Sequence, residues 1–84
     1  MSSQDIREKV IEIAAKQGGV EPAQVTPEHH FENDLHFDSL DKVEFAMTLE
    51  DEFNTKVPDE AAETFQTVGQ VIDYVEEQRM KDEG

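Results

Sequence analysis

The chain has no cysteine, and it has only 7 lysines and arginines among 84 residues. The first absence excludes disulfides and any thiolate chemistry of the chain's own. The second stands against 21 aspartates and glutamates and a formal net charge of −14. That balance argues against nucleic acid and anionic membrane as partners and in favour of basic protein surfaces. It also makes stability sensitive to ionic strength through self-repulsion. No apolar run is long enough to span a membrane, and no signal or transit segment precedes the first predicted helix. The expectation is a mature, soluble, cytoplasmic protein. There is no internal repeat and no low-complexity tract. The length predicts one small domain, residues 1–84, with a modest core; a monomer is expected.

Periodicity predicts an all-α fold without strands: a small bundle of three main helices and one short helix, with a long loop after the first helix. Ser2, with Asp5 three residues on, resembles a capping box. Ile6, Val10, Ile13 and Ala14 repeat at helical spacing until Gly18-Gly19 stops the helix. From Val20 to Asp38 the chain carries Pro22, Pro27 and no sustained period, and Val25, Phe31 and Leu35 are spaced as anchors that pin this loop to the core. A loop of this length in a small domain is commonly functional. Val57-Pro58-Asp59 marks a turn, and Asp59 is expected to cap a short helix from Glu60 to Phe65. Thr67 with Gln70 forms a second box and opens the last helix through Val68, Val71, Ile72 and Val75. Its end, from Glu76 to Gly84, is polar and is expected to fray.

Catalytic and metal-binding patterns are poor. His29, His30 and His36 share the long loop with Glu28 and Asp34, but adjacent histidines without a rigid element rarely ligate together, so no metal site is expected. The stretch from Asp51 to Glu63 matches a calcium loop in acidity only, since it lacks the alternating ligands and central glycine. The runs Glu50-Asp51-Glu52 and Glu76-Glu77 read as solvated faces.

The informative position is Ser39, between Asp38 and Leu40 at the start of a helix. If Asp38 is the N-cap, accepting from the N–H of Leu40 or Asp41, Ser39 takes the first helical position with its hydroxyl free. If Ser39 is itself the cap, that hydroxyl is occupied. The tripeptide leaves both readings open. A helix N-terminus collects unpaired N–H groups and about +0.5 charge, which suits a bound or attached phosphate. No base sits at helical spacing to activate Ser39 as a nucleophile, so it reads as a substrate for another enzyme and the chain as no enzyme itself.

The helix that follows carries two apolar stripes. At about 100° per residue, Phe45, Ala46, Leu49 and Phe53 share a core-facing arc. Leu40, Val43 and Met47 fall nearly opposite, bordered by Glu44 and Asp51 on one side and Glu50 on the other. Scattered surface hydrophobes need no explanation singly. Three aligned and rimmed by carboxylates form a docking surface suited to a basic partner. Lys42 lies on the core-side arc, from which its ammonium is expected to snorkel out to water.

With this segment the chain resembles the acyl carrier proteins of dissociated (type II) fatty acid synthesis. The resemblance rests on Asp34-Leu35-His36-Phe37-Asp38-Ser39-Leu40-Asp41-Lys42-Val43-Glu44-Phe45. It continues through Leu49-Glu50-Asp51-Glu52-Phe53 and Val57-Pro58-Asp59-Glu60 to Thr67-Val68-Gly69 and Ile72-Asp73-Tyr74-Val75, covering most of the chain. It implies a 4′-phosphopantetheine joined to Ser39 by a phosphodiester, beside Asp38, whose terminal thiol carries acyl groups as thioesters. It further implies a cargo site among Phe45, Ala46, Leu49 and Ile72. The partners implied are a phosphopantetheinyl transferase and basic-surfaced fatty acid synthesis enzymes, meeting Leu40, Asp41, Val43, Glu44, Met47, Glu50 and Asp51.

Two residues depart from the family pattern, which usually has glycine where this chain has His36 and a small residue where it has Phe37. Where such a glycine serves a positive φ, histidine is among the less penalised replacements. Phe37 is expected to pack under the loop. The departures leave open a specialised carrier for polyketide or other acyl chains. An acidic helical interaction module without a prosthetic group is the rival of another class. Asp before Ser39 and the heavy acidity favour fatty acid synthesis.

Overall fold

The computed structural model describes residues 3–83, with side chains described for residues 4–79. Four helices follow one another: α1 (Ser3–Gly18), α2 (Ser39–Phe53), α3 (Asp59–Thr64) and α4 (Val68–Glu83), with a single 3₁₀ turn at Pro22–Gln24 inside the long first loop. Helix α1 packs against both α2 and α4, and the short α3 lies on α2. No strand occurs among the described residues; His30 and Thr67 form an isolated antiparallel bridge. No helix among them is long and apolar enough to cross a membrane. Ser2 of the expected first capping box lies outside the described residues.

Helix α1 buries the predicted stripe of Ile6, Val10, Ile13 and Ala14, with Ala15 added. It ends as the Gly18-Gly19 pair requires. Gly19 takes φ +71°, and the N–H groups of Gly19 and Val20 turn back to the carbonyls of Lys16 and Ala15 at 3.3 and 2.9 Å. This is a Schellman end, which satisfies carbonyls the helix would otherwise strand.

The long loop is pinned where its anchors predict. Val25, Phe31 and Leu35 are all buried, and Phe37 joins them. Its backbone is stitched to the start of α4: Phe31 N–H donates to the Gln66 carbonyl at 3.0 Å, Val68 N–H to His29 at 3.1 Å and Gly69 N–H to Pro27 at 2.9 Å. Buried backbone polar groups need such partners. The core they help close contains no buried polar side chain among the described residues.

The start of α3 differs from expectation. Helix α3 begins at Asp59, with Pro58 as its N-cap residue and no side-chain cap bond. Asp59 is therefore the first helical residue, where its negative charge still suits the helix dipole. Helix α4 extends to Glu83, through the polar stretch from Glu76 where fraying is expected; Gly84 lies outside the described residues. Glu, Gln, Arg and Lys are strong helix formers, and Arg79 Nη1 donates to the Phe53 carbonyl at 3.1 Å, tying that end to the end of α2. Thr67 and Gln70 form the expected box: Gln70 N–H donates to Thr67 Oγ1 at 3.3 Å and Thr67 N–H to Gln70 Oε1 at 3.2 Å.

Candidate functional site

The N-terminus of α2 resolves which residue caps it. Asp38 is extended, at φ −99° and ψ −172°, and its carboxylate accepts the Asp41 N–H at 2.8 Å. Asp41 returns the bond, accepting the Asp38 N–H at 3.1 Å, so the two close a capping box. Asp38 is thus the N-cap and Ser39 the first helical residue, exposed and free of capping duty. The first i to i−4 bond runs from Lys42 N–H to the Asp38 carbonyl at 3.1 Å, which places the N–H groups of Ser39 and Leu40 ahead of it. The Asp38 N–H, and then the Gln17 amide at 3.1 Å, hold the Asp41 carboxyl below its usual pKa.

Two residues upstream set this geometry. His36 takes a positive φ of 58°, the conformation anticipated for a position usually filled by glycine. Beyond it Phe37 enters the core while Asp38 and Ser39 remain outside. Phe37 stacks on Phe31 with ring centroids 5.2 Å apart and meets Phe45 edge-on at 5.9 Å. Phe31 and Phe45 are themselves 5.2 Å apart, closing a triangle of rings beneath the first turns of α2. The Phe37 ring is admitted by Gly18: a Cβ there would stand 3.3 Å from Phe37 Cε1.

The strained His36 carries a prediction. A left-handed non-glycine residue costs about 1–2 kcal/mol, whereas glycine loses about 0.5–1 kcal/mol more chain entropy on folding. His36→Gly is therefore expected to raise stability by up to about 1 kcal/mol, or 4–8 °C in Tm for a domain this size. Thermal melts followed by circular dichroism check it, and a lower Tm would contradict it.

The second stripe of α2 is exposed: Leu40 by 64%, Val43 by 40% and Met47 by 59%. Its acidic rim divides into two kinds of residue. Glu44 and Asp51 are exposed, Glu44 accepting the Gln17 amide at 3.1 Å. Asp41 and Glu50 are half-buried and hold structure: Asp41 in the capping box, and Glu50 accepting the Val57 N–H at 3.0 Å across the turn into α3.

Phe45, Ala46, Leu49 and Ile72, expected around the cargo, lie in the packed core, 0–4% exposed. Open space beside Ser39 lies in a groove of ≈ 340 Å³ between α2 and α3. Ser39, Lys42 and Val43 form one side, and Asp59, Ala62 and Glu63 the other. Glu32, from the long loop, closes an end. The α3 residues and Glu32 are not marked in the sequence, because nothing local announces that they face Ser39. Lys42 carried a signal, its place on the core-side arc, and its ammonium reaches out to an exposed carboxylate of the loop. The side chain is 16% exposed and donates to Glu32 Oε1 at 2.8 Å. That bond, and then the Lys42 charge, hold the Glu32 carboxyl below its usual range.

The histidines of the loop serve local structure. His29 Nδ1 accepts the Thr26 N–H at 2.7 Å, and His30 N–H donates to Asp34 Oδ2 at 2.7 Å. Among the described residues no group of three or more His, Asp or Glu is arranged to hold a metal ion.

Comparison with known proteins agrees with this geometry. Residues 8–75 match the family described as "Phosphopantetheine attachment site". Among solved structures, the chain is similar to an acyl carrier protein from Enterococcus faecalis studied for its high thermal stability. The two are 37% identical over 93% of this chain and 99% of that one, with a TM-score of 0.77. The helical order, the Asp38-capped Ser39 at the head of α2 and these matches together show that the chain belongs to the acyl carrier proteins and contains a phosphopantetheine attachment domain.

Proposed function

We propose that this protein carries acyl chains as thioesters on a 4′-phosphopantetheine joined to Ser39 by a phosphodiester, in cytoplasmic fatty acid biosynthesis. The observation that carries the reading is the division of labour at the head of α2: Asp38 caps, and Ser39 stands exposed at the first helical position. A phosphodiester on that hydroxyl would sit by the first N–H groups of α2 and the positive end of the helix dipole. The two carboxylates nearest in sequence are engaged with N–H donors of this same turn, Asp38 on Asp41 and Asp41 on Asp38. When attached, the group supplies a long arm ending in a thiol that exchanges acyl groups between enzymes. The chain's own residues present the hydroxyl at the edge of the α2–α3 groove and offer Leu40, Val43 and Met47 to partners.

The test is loading. Incubated with coenzyme A and a phosphopantetheinyl transferase, the protein is expected to gain the mass of one phosphopantetheine and one titratable thiol. The chain contains no cysteine, so that thiol has a single source. Ser39→Ala is expected to gain neither, and a variant that still loads would refute Ser39 as the site. A wild type that never loads would leave the acidic interaction module as the better description.

A further inference from the structure

Lys42 is the one basic residue on the core-side arc of α2, one turn from Ser39, and its surroundings give it a position between two spaces. The groove beside Ser39 is continued by a second groove of ≈ 310 Å³ that reaches His30, Asn33 and Gln66. Glu32, Lys42 and Glu63 line both. Lys42 is held in place by the 2.8 Å contact of its ammonium with Glu32, an exposed residue of the long loop. Its stem lies on the same face of α2 as Phe45, Ala46 and Leu49, so it covers the flank along which an apolar chain leaving Ser39 would run.

We propose that Lys42, latched to Glu32, is a specificity-determining gate that ends the groove beside Ser39 and restricts the sheltered cargo to short acyl chains. The inference rests on Ser39 being the attachment residue. The physical argument is one of space and polarity. The core behind the groove is closed, with Leu49 and Val71 fully buried. A chain that outgrows the groove meets this ion pair, and going further means prising the Lys42 side chain, 16% exposed, from its partner. At about 30 Å³ per water-sized group, ≈ 340 Å³ holds roughly eleven such groups, shared between the end of the arm and the acyl chain, so shelter ends between about four and eight carbons.

The test uses the loaded protein carrying saturated acyl groups from two to sixteen carbons, with the rate of thioester cleavage by hydroxylamine as readout. Each methylene that enters the groove is expected to slow cleavage about fourfold. In the wild type the rate then levels off between four and eight carbons. Lys42→Ala removes stem and charge, and is expected to move that break to longer chains by several carbons. Glu32→Gln changes only the latch at an exposed site, so it leaves the fold intact and is expected to move the break in the same direction by less. A wild type whose rate keeps falling to sixteen carbons overturns the gate, as does a break that neither variant moves. If the wild type takes up no arm at all, the attachment reading fails and the gate with it; if it loads and the break stays put in both variants, only the gate fails.

Discussion

Phe37→Ala is expected to destabilise the fold by about 3–5 kcal/mol, the range for emptying a buried aromatic site. A small domain has about 5–15 kcal/mol in total, and one of this size sits toward the lower end. At 4–8 °C per kcal/mol, the expected fall in Tm is on the order of 15–30 °C. The cost is high at this position because the site collapses poorly. Phe37 is 4% exposed and touches two other rings, and its third neighbour is Gly18, which has no side chain to move into the space. The backbone on either side is fixed as well, by the left-handed turn at His36 and the Asp38 cap. Phe37→Leu retains most of the volume and is expected to cost clearly less. Thermal and urea melts of both variants settle the matter. A Phe37→Ala protein melting within a few degrees of wild type would show that the ring triangle is dispensable, and that this departure from the family pattern serves something other than packing.

The triangle also shows how far the chain can be read before it is folded. Phe31 and Phe45 were legible as core residues, one as a loop anchor and the other from the stripe on α2, and Phe37 as packing under the loop. Their meeting was not, because it depends on where a loop of irregular backbone crosses a helix. The same division holds at the site. Both candidate caps for α2 were visible in Asp38-Ser39, but choosing between them needed the reciprocal bond from Asp41. The stop at Gly18-Gly19 and the box at Thr67 and Gln70 are local devices, and both are present as read. The short α3 was displaced by one residue because Pro58 and Asp59 are both acceptable at a helix start. The end of α4 is tied by Arg79 to the Phe53 carbonyl, a partner 26 residues away that no local pattern shows. The groove beside Ser39 was illegible for the same reason: Glu32 and Glu63 reach it from a loop and from a helix that no local pattern relates to Ser39.

Reversing the charge at Glu44 is expected to slow association with a basic partner, the transferase included, by about tenfold at low salt, well within the range of electrostatic steering. Glu44 is exposed and borders Leu40, Val43 and Met47. It contributes to the field that a partner meets before contact, so Glu44→Lys acts on the association rate, and the loss is expected to shrink as salt screens it. Met47 is a different kind of residue. It is 59% exposed without a bonding role, and its flexible thioether suits the desolvated centre of an interface. Met47→Ala is therefore expected to act on dissociation, by roughly tenfold for a lost contact of about 1.4 kcal/mol, with little dependence on salt. Glu50 makes a useful contrast, because its carboxylate accepts the Val57 N–H and its replacement would disturb the turn into α3 along with the surface. The Glu44 carboxylate accepts the Gln17 amide from an exposed position, so both chosen variants should keep wild-type helical content. Surface-binding kinetics of the two against one basic partner, at two salt concentrations, separate field from contact. If both bind with wild-type rates while remaining folded, the Leu40–Val43–Met47 face is not where partners dock, and the second stripe of α2 needs another explanation.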